Sequence, residues 1–215
     1  MHRLAVLAAA IFLAAAPPAY ADFQLSVFGG WQGAADSDVT VTGANPAAFS
    51  ARWQGRSFET PPYWGVRGIW WFDQAPQWGV GLDYTHAKVY ADAATLADAG
   101  WSRFEFSDGI NFLTLNAMRR FQRWNALEPY AGLGAGISVP HVEVTRPSDT
   151  TFEYQLAGAV IQAQIGANYH VSDRVSLFGE YRFNYSMNRM KLTGGDELEV
   201  DLVTNALVAG VSIHF

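Results

Sequence analysis

TNALVAGVSIHF, residues 204–215, decides the fold. Leu207, Val211, Ile213 and the terminal Phe215 share one parity, while Thr204, Ser212 and His214 share the other. Side chains alternate across a β-strand, so this segment presents one apolar and one polar face. The segment before it reads the same way. Val175, Leu177, Tyr181, Phe183, Tyr185 and Met187 fall on one side, and Ser176, Glu180, Arg182, Asn184, Ser186 and Asn188 on the other. A helix would space its apolar residues three and four apart, so a period of two excludes it here. Working outward, eight such segments appear, near 23–34, 56–72, 77–90, 104–121, 128–144, 152–170, 174–191 and 198–215, bounded by Gly, Pro, Asn and Asp.

The connections alternate in character. DQAPQ (73–77), QRWNAL (122–127) and the Val171-Ser172-Asp173 corner are short, while those near 35–55, 91–103, 145–151 and 192–197 are mostly longer and more polar. Amphipathic strands joined this way predict an all-β chain: an eight-stranded antiparallel transmembrane β-barrel of the cell outer membrane. Short turns and both termini are periplasmic, and the longer loops are extracellular. In hydrocarbon every backbone N–H and C=O must be paired internally, which only a closed sheet achieves, and closure leaves no free edge, so a monomer is expected. The terminal Phe215 on an apolar stripe resembles the signal that such barrels offer to the barrel-assembly machinery. Eight strands enclose a lumen that side chains can fill. Arg67, Asp83, Gln162, Gln164, Glu180 and Arg182 have inward parity and are expected to plug it as a paired, hydrogen-bonded network. Trp78, Tyr130 and Tyr169 near one end, with Trp64, Tyr84 and Tyr185 higher up, suit two interfacial girdles. GLGAG (132–136) resembles a phosphate loop only superficially, because no helix follows it; close packing inside a narrow barrel explains its glycines.

Composition agrees. Charged residues are 16% of the chain and aromatics 14%, with 20 Gly, 8 Trp and 9 Tyr, whereas a soluble domain carries about 25% charged residues. A net charge of −6 excludes a general nucleic-acid binder, which needs a basic face. There is no cysteine, hence no disulfide, no lipoprotein thiol and no thiolate metal site. His2 and Arg3, the apolar run Leu4–Ala16 and Ala19-Tyr20-Ala21 follow the order of a secretory signal peptide. The expected division is therefore a signal peptide over 1–21 and a barrel over 22–215.

Continuing each outward face upward brings chemistry-bearing residues to one patch of the outer wall. The third segment carries His86 and Lys88, the fourth Asn111, Ser107 and Glu105, and the fifth His141 and Glu143. A charge on the lipid face costs roughly 2–4 kcal/mol at the midplane but about 0–1 near the interface, so the patch belongs at the rim. One reading is interfacial residues that bond water and lipopolysaccharide headgroups. The other is a site that acts on lipid from outside. In that reading His86, His141 and Glu143 are ligands of a divalent metal or acid–base groups, Glu105 and Asp108 are further carboxylates, and Lys88, Arg103, Ser107 and Asn111 meet the headgroup. A Ser-His-carboxylate arrangement, with Ser107 as nucleophile, His141 or His86 as base and Glu143 or Glu105 as orienter, would instead suit a lipid A deacylase. His170 and His214 lie at the opposite end and are expected to be structural or solvated.

FEFSDGINFLTLNAMRRF (104–121), PYAGLGAGISVPHVEV (129–144) and YTHAKVY (84–90) resemble the outer-membrane lipid A oxidases of rhizobia and related α-proteobacteria, within the OmpA-like small barrels. SLFGEYRFNYS (176–186) and the closing 204–215 share the resemblance but are generic to small barrels. It implies oxygen-dependent oxidation of the proximal glucosamine of lipid A to 2-aminogluconate, with molecular oxygen as co-substrate and lipid A and its outer-membrane lipids as partners. The rival expectation is a non-enzymatic structural or adhesin-type barrel, with its business in the 35–55 loop.

Overall fold

A computed structural model describes residues 22–215 of the chain; the expected signal peptide over 1–21 lies outside the described residues. Twelve strands form one antiparallel sheet: β1 (Phe23–Ala34), β2 (Ser37–Thr42), β3 (Ala47–Ala51), β4 (Trp53–Gln54), β5 (Trp64–Phe72), β6 (Ala75–Ala91), β7 (Arg103–Arg120), β8 (Leu127–Thr145), β9 (Thr150–Tyr154), β10 (Gly158–His170), β11 (Val175–Lys191) and β12 (Glu197–His214). A short helix, α1 (Ala93–Ala99), stands between β6 and β7. Eight strands run in the order β1-β5-β6-β7-β8-β10-β11-β12, and β12 pairs back onto β1 from Gln24↔His214 to Ala34↔Thr204, which closes the ring. Among the described residues no helix is long and apolar enough to cross a membrane.

The expected segments match these eight strands, with two differences at the loop end. The second begins at Trp64 rather than near 56. The sixth divides into β9 and β10, while β2, β3 and β4 build the 35–55 loop. These extra strands prolong the sheet above the ring: β2 pairs β12, β4 pairs β6 and β9 pairs β8. Residues 73–74, 121–126 and 171–174 link strands at the other end, where Phe215 N–H donates to the Phe23 carbonyl.

The wall and lumen are chemically opposite. Val27, Trp70, Leu82, Leu115, Leu133, Ile165, Leu177 and Leu207 are exposed outward, as a barrel wall in contact with hydrocarbon requires. Inside, Arg182 makes paired bonds of 2.9 Å to both oxygens of Asp83 and reaches Glu180 at 2.7 Å, while Arg67 meets Glu180 at 2.6 Å. Gln164, Gln162, Thr114, Asn184 and Thr204 continue this network. The six lumen residues read from parity are all buried, and two positive charges meet two negative ones.

Tyr130 departs from the girdle expectation. It is buried in the lumen and donates to Glu180 at 2.8 Å, because its parity is opposite to that of outward Leu133. The GLGAG glycines do serve close packing: a Cβ at Gly136 would collide with the Leu113 carbonyl oxygen. Above the charged plug the interior turns apolar. Phe104, Phe106, Ile110, Val142, Val144, Leu198 and Val200 pack there with Trp53 and Trp101 from the loops.

Candidate functional site

On β8 the exposed wall runs from Leu127 to Ile137, which is about the ten residues that a tilted strand needs to cross hydrocarbon. His141 stands four residues higher, or roughly 10 Å at about 3.3 Å per residue and a tilt near 40°. It is therefore at headgroup height. Two irregularities in the sheet shape the wall around it.

The first lies on β7. Glu105 pairs with Glu143 and Ile110 with Pro140, so five steps on β7 face three on β8. Two extra residues leave parity unchanged, and Glu105 and Glu143 both stay outward. The surplus, around Ser107 and Asp108, bulges over the outer wall. Gly109 makes this possible: its φ is 112°, and a Cβ there would collide with the His86 ring.

The second lies between β9 and β10. His141 pairs with Tyr154 and Ser138 with Gly158, so three steps on β8 face four. One extra residue reverses parity, and Phe152 and Tyr154 turn outward instead of into the barrel. Their rings flank His141 at 4.4 and 4.5 Å between centroids. Tyr154 also donates from its hydroxyl to the Asp108 carbonyl at 3.0 Å, which ties down the β7 bulge.

Glu143 is the hub. Its Oε1 accepts from Ser107 Oγ at 2.6 Å and from Asp108 N–H at 3.2 Å, and it faces His141 Nδ1 at 3.1 Å. Its Oε2 accepts from Arg103 at 3.2 Å. Ser107 lies 3.2 Å from Glu105, and Asp108 Oδ2 lies 3.6 Å from His141 Nδ1. His141 and Glu143 are buried, whereas the Asp108 side chain is 52% exposed. Burial pushes the Glu143 carboxyl up, but the bonds from Ser107, His141 and the Asp108 N–H outweigh it and hold the group below its ordinary range. Burial, reinforced by the Glu143 charge, raises Glu105.

Asp108, His141 and Glu143 thus form a group whose ligand atoms lie within 4.8 Å of one another. His86, expected beside His141 and Glu143, stands outside that group. It faces outward next to Trp64, and its Nδ1 lies 3.0 Å from Asn111 Oδ1, which also accepts from Tyr84. Lys88 is a clearer departure. It is fully buried, with Nζ donating to the Glu59 carbonyl at 2.6 Å, because the 55–63 segment covers the upper part of β6. It is not offered to a headgroup. Arg103 and Ser107 are engaged inside the cluster, and Asn111 holds His86. Phe152 and Tyr154 were missed by sequence reasoning, since strict alternation through 152–170 turns them inward, and no residue in Gln155-Leu156-Ala157 announces the extra step.

Below Tyr154 the exposed Leu156 and an apolar groove of about 380 Å³, lined by Ile137, Leu156, Ala157 and Ala159, lead down to the lipid-facing wall. The polar cluster and the apolar wall are therefore continuous. Such a surface fits an amphiphile.

The fold defines the class: a small outer-membrane-type β-barrel. Among solved structures, the chain is similar to Neisserial surface protein A (15% identity, TM-score 0.53, covering 90% of this chain and 97% of that one). It is also similar to the outer membrane protein OprG from Pseudomonas aeruginosa (14%, 0.50, covering 91% and 96%) and to the outer membrane protein AlkL (14%, 0.50, covering 94% and 93%). At these identities the likeness is one of fold. No protein-family profile and no curated protein matches the chain.

Proposed function

We infer that the chain is an outer-membrane enzyme, with both termini periplasmic, that oxidises the proximal glucosamine of lipid A in the outer leaflet. The observation that carries this reading is the outward-facing cluster centred on Glu143 at headgroup height, continuous through Tyr154 and Leu156 with the lipid-facing wall. The resemblance of 84–90, 104–121 and 129–144 to lipid A oxidases supports the same substrate. Those stretches supply the bulge and most of the cluster.

The chemistry asked of the site is a two-electron oxidation. The anomeric carbon loses its hydrogen and the hydroxyl loses its proton, giving a lactone, while molecular oxygen is reduced to hydrogen peroxide. Water then opens the lactone to 2-aminogluconate, with a net gain of one oxygen. Glu105, linked to Glu143 through the Ser107 hydroxyl, is the carboxylate placed to take the hydroxyl proton. Arg103 bonds Glu143 and lies 3.7 Å from Glu105, and so fixes the two carboxylates side by side.

The deacylase reading fits this geometry less well. A serine nucleophile needs an imidazole to take its proton, but Ser107 Oγ donates to Glu143 Oε1, with Glu105 at 3.2 Å, and His141 Nδ1 faces that same Glu143 oxygen rather than the serine. Expression in a host whose lipid A lacks the modification tests the proposal. Mass spectrometry is expected to show lipid A heavier by one oxygen, and this gain is expected to vanish in His141→Ala. Unaltered lipid A from well-folded wild type would leave a non-enzymatic barrel; loss of an acyl chain would restore the deacylase.

A further inference from the structure

The geometry points to a divalent metal site formed by Asp108, His141 and Glu143, open toward the outer leaflet. This deepens the proposed oxidation, and it rests on that reading only for its purpose. Three observations carry it.

The distances fit. Metal–nitrogen and metal–oxygen bonds of about 2.0–2.2 Å place neighbouring ligand atoms roughly 3.0 Å apart at right angles and about 3.5 Å apart at tetrahedral angles. His141 Nδ1 lies 3.1 Å from Glu143 Oε1 and 3.6 Å from Asp108 Oδ2. One ring nitrogen facing two carboxylates from two different strands is what a shared cation would organise.

The charge does not close. Glu105, Asp108 and Glu143 bring three carboxylates together, and the cation in contact with them is Arg103. Lys88 makes no contact with the cluster and donates instead to the Glu59 carbonyl. Glu143 is nine-tenths buried and already takes the guanidinium of Arg103, which leaves the carboxylates of Asp108 and Glu105 beside it in need of further positive charge. A divalent ion supplies it.

The ligands are held in place by a supporting shell. Ser107 Oγ and the Asp108 N–H orient the Glu143 carboxylate, Phe152 and Tyr154 fix the His141 ring, and Tyr154 anchors the Asp108 backbone. Asp108 is the exposed member, so positions on the outward side remain for substrate or oxygen. One imidazole with two carboxylates suits Mn²⁺, Fe²⁺ or Zn²⁺ better than the all-oxygen preference of Ca²⁺ or Mg²⁺. Bound there, any of these ions would supply Lewis acidity toward the sugar hydroxyl, and Mn²⁺ or Fe²⁺, unlike redox-inactive Zn²⁺, would also supply a route for electrons to oxygen.

The test uses the full mature chain, refolded in detergent free of lipopolysaccharide and stripped with a chelator. Zn²⁺ is titrated by calorimetry, and Mn²⁺ by the loss of its free-ion electron paramagnetic resonance signal. One ion per chain is expected, with affinity weakened roughly tenfold or more in Asp108→Asn and in His141→Ala. Glu153→Gln, an exposed carboxylate on β9 outside the cluster, is expected to bind as wild type does. Since Asp108 is exposed on a bulge, its variant folds even if His141→Ala does not; heat-modifiable gel mobility checks both. No binding by wild type overturns the site, as does binding that both variants retain. The two proposals separate cleanly: one-site metal binding with unaltered lipid A keeps the site and removes the oxidase, and oxidised lipid A from a metal-free chain does the reverse.

Discussion

Arg182 and Glu143 are both buried charged groups in one barrel, but their surroundings are completed differently. In the lumen, Arg67 and Arg182 meet Asp83 and Glu180, charge balances charge, and glutamine, threonine and tyrosine take up most of the remaining bonds. At the rim, three carboxylates face one guanidinium, and one of them is half exposed. A network whose charges cancel has little to offer a ligand, although Arg67 Nε and Asn116 Oδ1 are left without partners, and the lumen is read as structural. A cluster left with excess negative charge, turned toward the headgroups, is where binding and chemistry can occur.

The difference can be broken from the lumen side first, where the largest effect is expected. Arg182→Met leaves Asp83 and Glu180 without a main partner in a dry interior, and loss of one member of a buried pair costs about 3–5 kcal/mol. Urea unfolding in detergent should show that loss, and a variant as stable as wild type would falsify the plug as the barrel's organiser. At the rim, Glu143→Gln should act oppositely. Lipid A oxidation falls about a hundredfold or more, as expected for a lost site group, while the unfolding midpoint barely moves. A large fall in stability with activity retained would reverse the assignment of the two regions.

Gly109→Val probes the bulge. A side chain at a φ of 112° is strained and would overlap His86, with a backbone cost on the order of 1–3 kcal/mol. Displacement of Asp108 should lower oxidation about tenfold, and a fully active Gly109→Val would show that the bulge does not position the site. Tyr154→Phe removes one hydrogen bond to the Asp108 carbonyl, worth about 0.5–1.5 kcal/mol. A rate loss of threefold to tenfold is expected, with little change in unfolding, and an unchanged rate would mean that Asp108 is held without it. Smallest of all is Lys88→Met. The group is turned away under the 55–63 segment, so lipid A oxidation should stay within about twofold of wild type, as for changes that touch no reacting group. A tenfold loss would return Lys88 to the headgroup side.

By itself the sequence determined the barrel, its eight strands and the direction of most side chains, because a wall between lipid and a packed lumen imposes a period of two that residues 175–215 display almost without exception. It determined the lumen charges for the same reason. It also brought Glu105, Ser107, His141 and Glu143 to one patch, and this survived a two-residue bulge because an even insertion preserves parity. What only the tertiary structure decided depends on odd steps and on loops. The single extra residue between β9 and β10 turned Phe152 and Tyr154 outward, the 55–63 segment withdrew Lys88, and the lifted bulge put Asp108 in the place expected for His86. Alternation fixes the face on which a side chain starts. It cannot register where the ladder slips, because a slip is set by pairing with a distant strand rather than by the residues that carry it.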